Sequence, residues 1–141
     1  MDATPLSPRL HAYFAAAAPP GVLSAYLFGS HAEGRSHRES DVDVGVLLDR
    51  GRYPLAADRF DVRVRLGAEL VDVLDRNDVD VVILNDAPPE LGRAVVVRGQ
   101  RVHCADAAAD HAYVRDIQLR AADLDIFLRR VRRTKLDALR R

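Results

Sequence analysis

Three short apolar runs, Val22–Phe28, Val42–Leu48 and Val79–Leu84, restrict the possible folds of this chain more than any other feature. Each has the length of a buried strand and lies close to turn-forming residues: Gly29 after the first, Gly51 and Pro54 after the second, Asn77-Asp78 before the third. The intervening segments carry helix punctuation. Ser7-Pro8 offers an N-cap and a first-turn proline for a helix running to about Ala18, which Pro19-Pro20-Gly21 ends. Ser30 to about Gly34 can form a short helix, followed by a polar loop from Arg35 to Ser40. A long helix is predicted from about Ala57 to Asp75, with Phe60, Val64, Val71 and Leu74 on its buried face and Leu70 beside them. The alternation Val62, Val64, Leu66 would also suit a strand at the start of that segment. Pro88-Pro89-Glu90 opens another helix with Gly99 as its C-terminal cap, Arg101–Cys104 makes a short strand, and Asp106 caps a final helix reaching nearly to the C-terminus. Alternating strands and helices predict an α/β sheet covered by helices.

At 141 residues the chain is expected to form one domain, 1–141, with no internal repeats. The single cysteine, Cys104, excludes an intramolecular disulfide framework and any metal site built from several thiolates. No apolar run approaches the ~20 residues needed to span a bilayer. In the most signal-like stretch, Leu10–Ala18, Asp2 offsets Arg9 and Pro19-Pro20 closes the run, so a cytoplasmic protein is expected. The formal net charge is zero, from 21 basic and 21 acidic residues, but the charges are unevenly placed. From Arg120 onward eight basic residues face three acids, so that segment carries +5 and residues 1–119 carry −5. With an acidic body and only a basic tail, direct nucleic-acid binding is not expected. The histidines show no metal-ligand spacing, and the four tyrosines read as packing or surface groups.

The chemistry concentrates in Phe28-Gly29-Ser30, Asp41-Val42-Asp43-Val44, and Asp80 within the third apolar run. Residues two apart on a strand share a face, so Asp41 and Asp43 project together while Val42 and Val44 turn into the core. Paired carboxylates resist joint ionisation unless a cation lies between them. Mg²⁺ suits them, because it takes one or two carboxylates and fills its shell with water and phosphate oxygens. Asp80 on a neighbouring strand would complete a site for two ions. Gly29 permits a sharp turn and a close approach to phosphate, and Ser30 at a helix start would offer a hydroxyl beside backbone N–H groups.

Gly29-Ser30-His31-Ala32-Glu33-Gly34 followed by Ser40-Asp41-Val42-Asp43-Val44 resembles the signature of minimal nucleotidyltransferases, the MNT domains of the polymerase-beta superfamily. The likeness covers roughly residues 20–105, taken as the catalytic core, with a helical extension over about 106–141. His31 and Glu33 stand where relatives often carry arginine, and Arg35 or Arg38 could supply the triphosphate contact instead. The resemblance implies a polymerase-beta-like fold, α/β (α+β), with a mixed sheet of about four strands and a long C-terminal helix. It also implies Mg²⁺-dependent transfer of a nucleoside monophosphate, usually AMP from ATP, to a hydroxyl. Asp41 and Asp43 would hold Mg²⁺ on the triphosphate, Asp80 would bind a second ion and help deprotonate the acceptor, and Gly29 and Ser30 would cradle the outer phosphates. Small MNT proteins resemble the antitoxin halves of HEPN/MNT toxin–antitoxin pairs, which adenylylate a tyrosine of a HEPN ribonuclease. The expected partner and acceptor is therefore a HEPN-type toxin, with either a homodimer or a hetero-oligomer containing the toxin compatible. Two alternatives are a small-molecule enzyme of the aminoglycoside-modifying kind and a non-catalytic antitoxin that blocks its partner by binding. Ile117, Ala121, Leu124, Leu128 and Val131 form a helical stripe suited equally to a partner helix and to the chain's own sheet.

Overall fold

The computed structural model describes residues 6–32 and 41–140. In chain order the elements are α1 (Leu6–Ala16), β1 (Val22–Phe28), β2 (Val42–Leu48), α2 (Ala56–Leu74), β3 (Val79–Ile83), a 3-10 turn (Leu84–Asp86), α3 (Pro89–Arg98), β4 (Gln100–Cys104) and α4 (Ala107–Leu139). The four strands form one mixed sheet in the order β3-β2-β1-β4. β1 runs antiparallel to both β2 and β4, whereas β2 and β3 are parallel and joined through α2.

Strand alternation divides the interior into two layers. Val42, Val44, Val46 and Leu48 of β2 join Ala25 and Leu27 of β1 in the larger cluster, under Leu10 and Phe14 of α1 and Leu66, Leu70 and Leu74 of α2. The opposite face is smaller and gathers Tyr26, Leu47, Leu84 and Val95 beneath α3 and α4. Asp43 and Gly45 belong to this second face by the same alternation. β3 ends one residue before the predicted Leu84, because the chain turns there to bring Asn85 back to the sheet. The Asn85 side chain accepts from Leu48 N–H at 2.9 Å and donates to Leu48 C=O at 2.8 Å, extending the parallel ladder by one rung.

Two sequence expectations change. Residues 56–74 are helical throughout, so the strand-like alternation at 62–66 has no strand counterpart, and the buried face is Val62, Leu66, Leu70 and Leu74 with Arg59. Phe60 and Val64, predicted to be buried, are 56% and 57% exposed. Apolar residues surround much of α2, so periodicity alone does not choose its rotation. The helix turns the leucine-rich i, i+4 set to the sheet and carries Arg59 to Asp86, where Nε and Nη2 contact the carboxylate at 3.0 and 2.9 Å. Gly99 does cap α3, donating to Val95 C=O at 2.8 Å, but with extended backbone at φ −81°. Glycine is required there because a Cβ would collide with the carbonyls of Val95 and Leu27.

α4 is capped as expected: Asp106 accepts from Ala109 N–H at 3.0 Å. Its 33 residues extend about 50 Å. Asp110, Ile117 and Ala121 are buried, and among the described residues none after Ala121 is. The predicted stripe is therefore split, with Ile117 and Ala121 covering the chain's own sheet and Leu128 and Val131 exposed. A buried polar cluster fixes the covered half: Asp110, 1% exposed, accepts from Tyr26 Oη at 2.7 Å and from Arg101 at 2.9 Å. Among the described residues no helix is long and apolar enough to cross a membrane.

Asp110→Ala leaves the Tyr26 hydroxyl and the Arg101 guanidinium without their shared acceptor, at an expected loss of about 2–4 kcal/mol. Tyr26→Phe, which leaves the Asp110–Arg101 pair in place, is expected to lose about 1 kcal/mol. Urea denaturation measures both, and equal losses would show that the ion pair adds nothing to the anchor.

Candidate active site

β1 ends at Phe28 and the chain turns at Gly29, whose φ of +79° is the left-handed backbone that disfavours a side chain. A Cβ at Gly29 would also collide with the Asp43 carboxylate, so this position demands glycine twice over. Ala32 N–H donates to Gly29 C=O at 3.1 Å and closes the turn around Ser30 and His31. Residues 30–32 are turn, not the expected start of a helix, and the remainder of that predicted helix and the 35–40 loop lie outside the described residues. Glu33, Arg35 and Arg38 fall there as well. The turn is tied from a distance by Gln100, which donates to Ala32 C=O at 3.0 Å and accepts from Ser7 Oγ at 2.8 Å.

The register gathers the acids. Phe28 pairs with Asp43, and Asp43 pairs with Asp80 across the parallel β2–β3 ladder. Asp43 and Asp80 therefore project side by side from adjacent strands, about 5 Å apart at the backbone. Asp41 lies one residue before β2 and is exposed. Asp43 is half-buried, with its side chain against Gly29. Burial, then the charges of Asp80 and Asp41, raise its carboxyl above the ordinary aspartate range, and His31 partly opposes them. The sequence-predicted residues Gly29, Asp41, Asp43 and Asp80 thus share one end of the sheet, with Ser30 in the adjoining turn.

Cations frame this row. Arg63 of α2 places Nη2 3.7 Å from Asp80 Oδ1 and donates through Nε to Val81 C=O at 2.7 Å. Arg76 grips Asp78 with Nε and Nη2 at 2.9 and 2.7 Å just ahead of β3, holding that carboxyl below its usual range. None of Arg63, Arg76 and Gln100 carried a sequence signal. Arg63 and Gln100 reach the site from other elements, Arg76 grips Asp78 from the loop before β3, and nothing in their neighbours separates them from ordinary surface side chains.

The donor set is all oxygen, as Mg²⁺ prefers. Among the described residues no three His, Cys, Asp or Glu side chains enclose a metal position by themselves. That openness suits an ion completing its shell with phosphate oxygens and water, and the upward pressure on Asp43 is what a bound cation would relieve. The residues present fit a divalent ion held jointly by protein and nucleotide.

Comparison with known proteins agrees with this geometry. Over 85 residues the chain is 39% identical to the protein adenylyltransferase MntA of Shewanella oneidensis, an alignment covering 59% of this chain and 55% of that protein. The match thus spans about half the length of this curated relative. A crystal structure described as a toxin–antitoxin with AMP-PNP superposes with a TM-score of 0.62 at 24% identity, covering 96% of this chain and 99% of the matched one. A structure of the tri-AMPylated Shewanella oneidensis HEPN toxin in complex with MNT antitoxin superposes with a TM-score of 0.57 at 20% identity, covering 96% and 100%. Both share the fold. The family model for polymerase beta nucleotidyltransferases matches residues 12–108, which take in all four strands, the Gly29 turn and all three acids, and the chain belongs to that family.

Proposed function

We propose that this chain is a Mg²⁺-dependent adenylyltransferase that moves AMP from ATP to a tyrosine hydroxyl of a HEPN-type toxin in the cytoplasm, and so acts as the toxin's antitoxin. The observation that carries this reading is the row Gly29–Asp43–Asp80, where one register sets a phosphate-accommodating turn beside two facing carboxylates. Family membership and the likeness to a protein adenylyltransferase support it. So does the projecting half of α4, where Ile126, Phe127, Leu128 and Val131 are exposed beside a run of arginines and suit a protein partner better than a small molecule.

Each residue then has a role. Gly29 lets the triphosphate approach the backbone, and Ser30 offers a hydroxyl to its outer phosphates. Asp41 and Asp43 would hold Mg²⁺ on the triphosphate, and Asp80 would hold a second ion on the acceptor side. Bound there, Mg²⁺ would neutralise phosphate charge and make the acceptor hydroxyl easier to deprotonate. Asp80 is exposed, orients the incoming hydroxyl and takes up its proton. The acceptor oxygen bonds to the α-phosphorus as the bond to the β-phosphate bridging oxygen breaks, and pyrophosphate leaves along the Gly29 side.

With α-labelled ATP, Mg²⁺ and a co-expressed HEPN partner, the partner is expected to take up label. Asp41→Asn combined with Asp43→Asn should lower the initial rate by at least about 1,000-fold. Label on an aminoglycoside and not on protein would overturn the acceptor, and neutralisation by the unlabelling double variant would replace catalysis with binding.

Asp43→Asn alone should also raise the melting temperature measured without metal, because it removes the charge that Asp80 and Asp41 oppose. A lower melting temperature would show that the three carboxylates are not in mutual repulsion. Finally, Asp43 keeps its proton to higher pH than an ordinary aspartate, and Mg²⁺ must displace that proton. Calorimetric Mg²⁺–ATP affinity should therefore weaken as pH falls through the acidic range in which Asp43 takes up its proton, a range that begins above that of an ordinary aspartate, and should weaken less in the Asp43→Asn variant.

A further inference from the structure

The outer edge of β3 carries a groove that the roles above leave unused. We propose that this groove is the subsite for the acceptor polypeptide, with Phe60 holding an apolar segment of that protein and Arg63 joining the groove to the Asp80 carboxylate; this rests on the adenylyl-transfer reading above. The groove encloses about 540 Å³ between the first half of α2 and the start of α3, with Phe60, Arg63, Val82, Ile83, Pro88 and Leu91 among its walls.

Three observations favour this occupant. First, α2 completes its core contacts with Val62, Leu66, Leu70 and Leu74, so Phe60, 56% exposed, is not needed for packing and stands at a concave apolar surface. Second, the groove is continuous with the carboxylate row. Arg63 is one of its walls, donates to Val81 C=O at the sheet edge and stands 3.7 Å from Asp80. Across the sheet the order is Gly29 turn, Asp43, Asp80, groove. In-line displacement puts the attacking oxygen opposite the leaving group, so a donor whose pyrophosphate leaves on the Gly29 side meets its acceptor on the groove side. Third, among the described residues lining the groove Asp86 is the one acid, and Arg59 holds it at 2.9 and 3.0 Å. A polycationic small molecule meets the Arg63 guanidinium with no uncommitted carboxylate in the groove, whereas an apolar peptide segment meets matching walls.

The test measures steady-state AMP transfer by the full chain to the HEPN-type partner, varying partner and ATP separately. Phe60→Asp is expected to raise KM for the partner by about 10-fold or more while KM for ATP stays within about twofold, and Phe60→Leu to restore most of the loss. Leu91→Gln on the opposite wall should give the same split, with circular dichroism confirming that each variant is folded. An unchanged partner KM in folded Phe60→Asp and Leu91→Gln overturns the subsite alone. A rise confined to the ATP KM would hand the groove to the nucleobase and overturn it equally. A wild-type chain that labels no protein overturns the adenylyl-transfer reading, and the subsite with it.

Discussion

The alternation of β2 is the constraint on which both core and site depend. Val42, Val44, Val46 and Leu48 are all but completely buried on one face, and Asp43 faces the other, on a strand paired with β1 on one side and the edge strand β3 on the other. A slip of one residue would send the carboxylate into the apolar layer and four aliphatic side chains out of it. Each of those side chains contributes about 1.5–3 kcal/mol by its burial, so the register is held by far more than the repulsion among the acids can oppose. Because β1 pairs with one side of β2 and β3 with the other, the same register brings Gly29 and Asp80 to Asp43. Core and candidate site are two faces of one strand.

The acids are tolerated because they sit at the end of the sheet and are not enclosed by it. Asp41 and Asp80 are exposed, whereas Asp43 is held against the Gly29 turn, and burial followed by the charges of Asp80 and Asp41 raises its carboxyl above the ordinary aspartate range. Arg63, Arg76 and His31 moderate the field without cancelling it. Arg76 is engaged by Asp78, and Arg63 divides its donors between Asp80 and the Val81 carbonyl. The remaining excess of negative charge lies where a metal–nucleotide complex would place positive charge, so the arrangement is better balanced with such a ligand than without one.

Much of this was legible in the sequence, and the exceptions share a cause. Val22–Phe28 and Val42–Leu48 were readable to the residue, since buried strands declare themselves by short continuous apolar runs between turn formers. Gly29, Asp41, Asp43 and Asp80 were readable as a group because carboxylates placed on such strands are costly without a use. The rotation of α2 was not, since Phe60 and Val64 repeat with the same helical spacing as the set that is buried. Nor were Arg59, Arg63 and Gln100, whose partners Asp86, Asp80 and Ala32 lie 17 to 68 positions away. A pattern within a window reports local periodicity, and these side chains act across elements whose mutual placement exists only after the sheet has formed. The Ser30 turn failed for the opposite reason, because local propensity suggested a helix where Gly29 C=O closes a tight turn with Ala32 N–H.

The same division of labour explains α4. Most of a helix's stability in a folded protein comes from packing, and the first half of α4 is held by the Asp106 cap and the Asp110 cluster and is packed through Ile117 and Ala121. The second half inherits a formed helix and spends none of its side chains on the core. Its arginines, with Asp123, Asp125, Lys135 and Asp137, keep the exposed aliphatic residues of the rod among charged neighbours. The zero net charge of the chain is thus the sum of two separated regions, an acidic body that carries the three carboxylates of the candidate site and a basic rod that leaves it. Charge separated in this way contributes little to the stability of the fold, because most of it is exposed and screened. Its effect falls on association, where a long-range field orients an approaching macromolecule before any contact forms. A rod that needs no core contact beyond Ala121, and a groove whose aromatic wall the core does not use, are both surfaces that folding alone leaves unexplained.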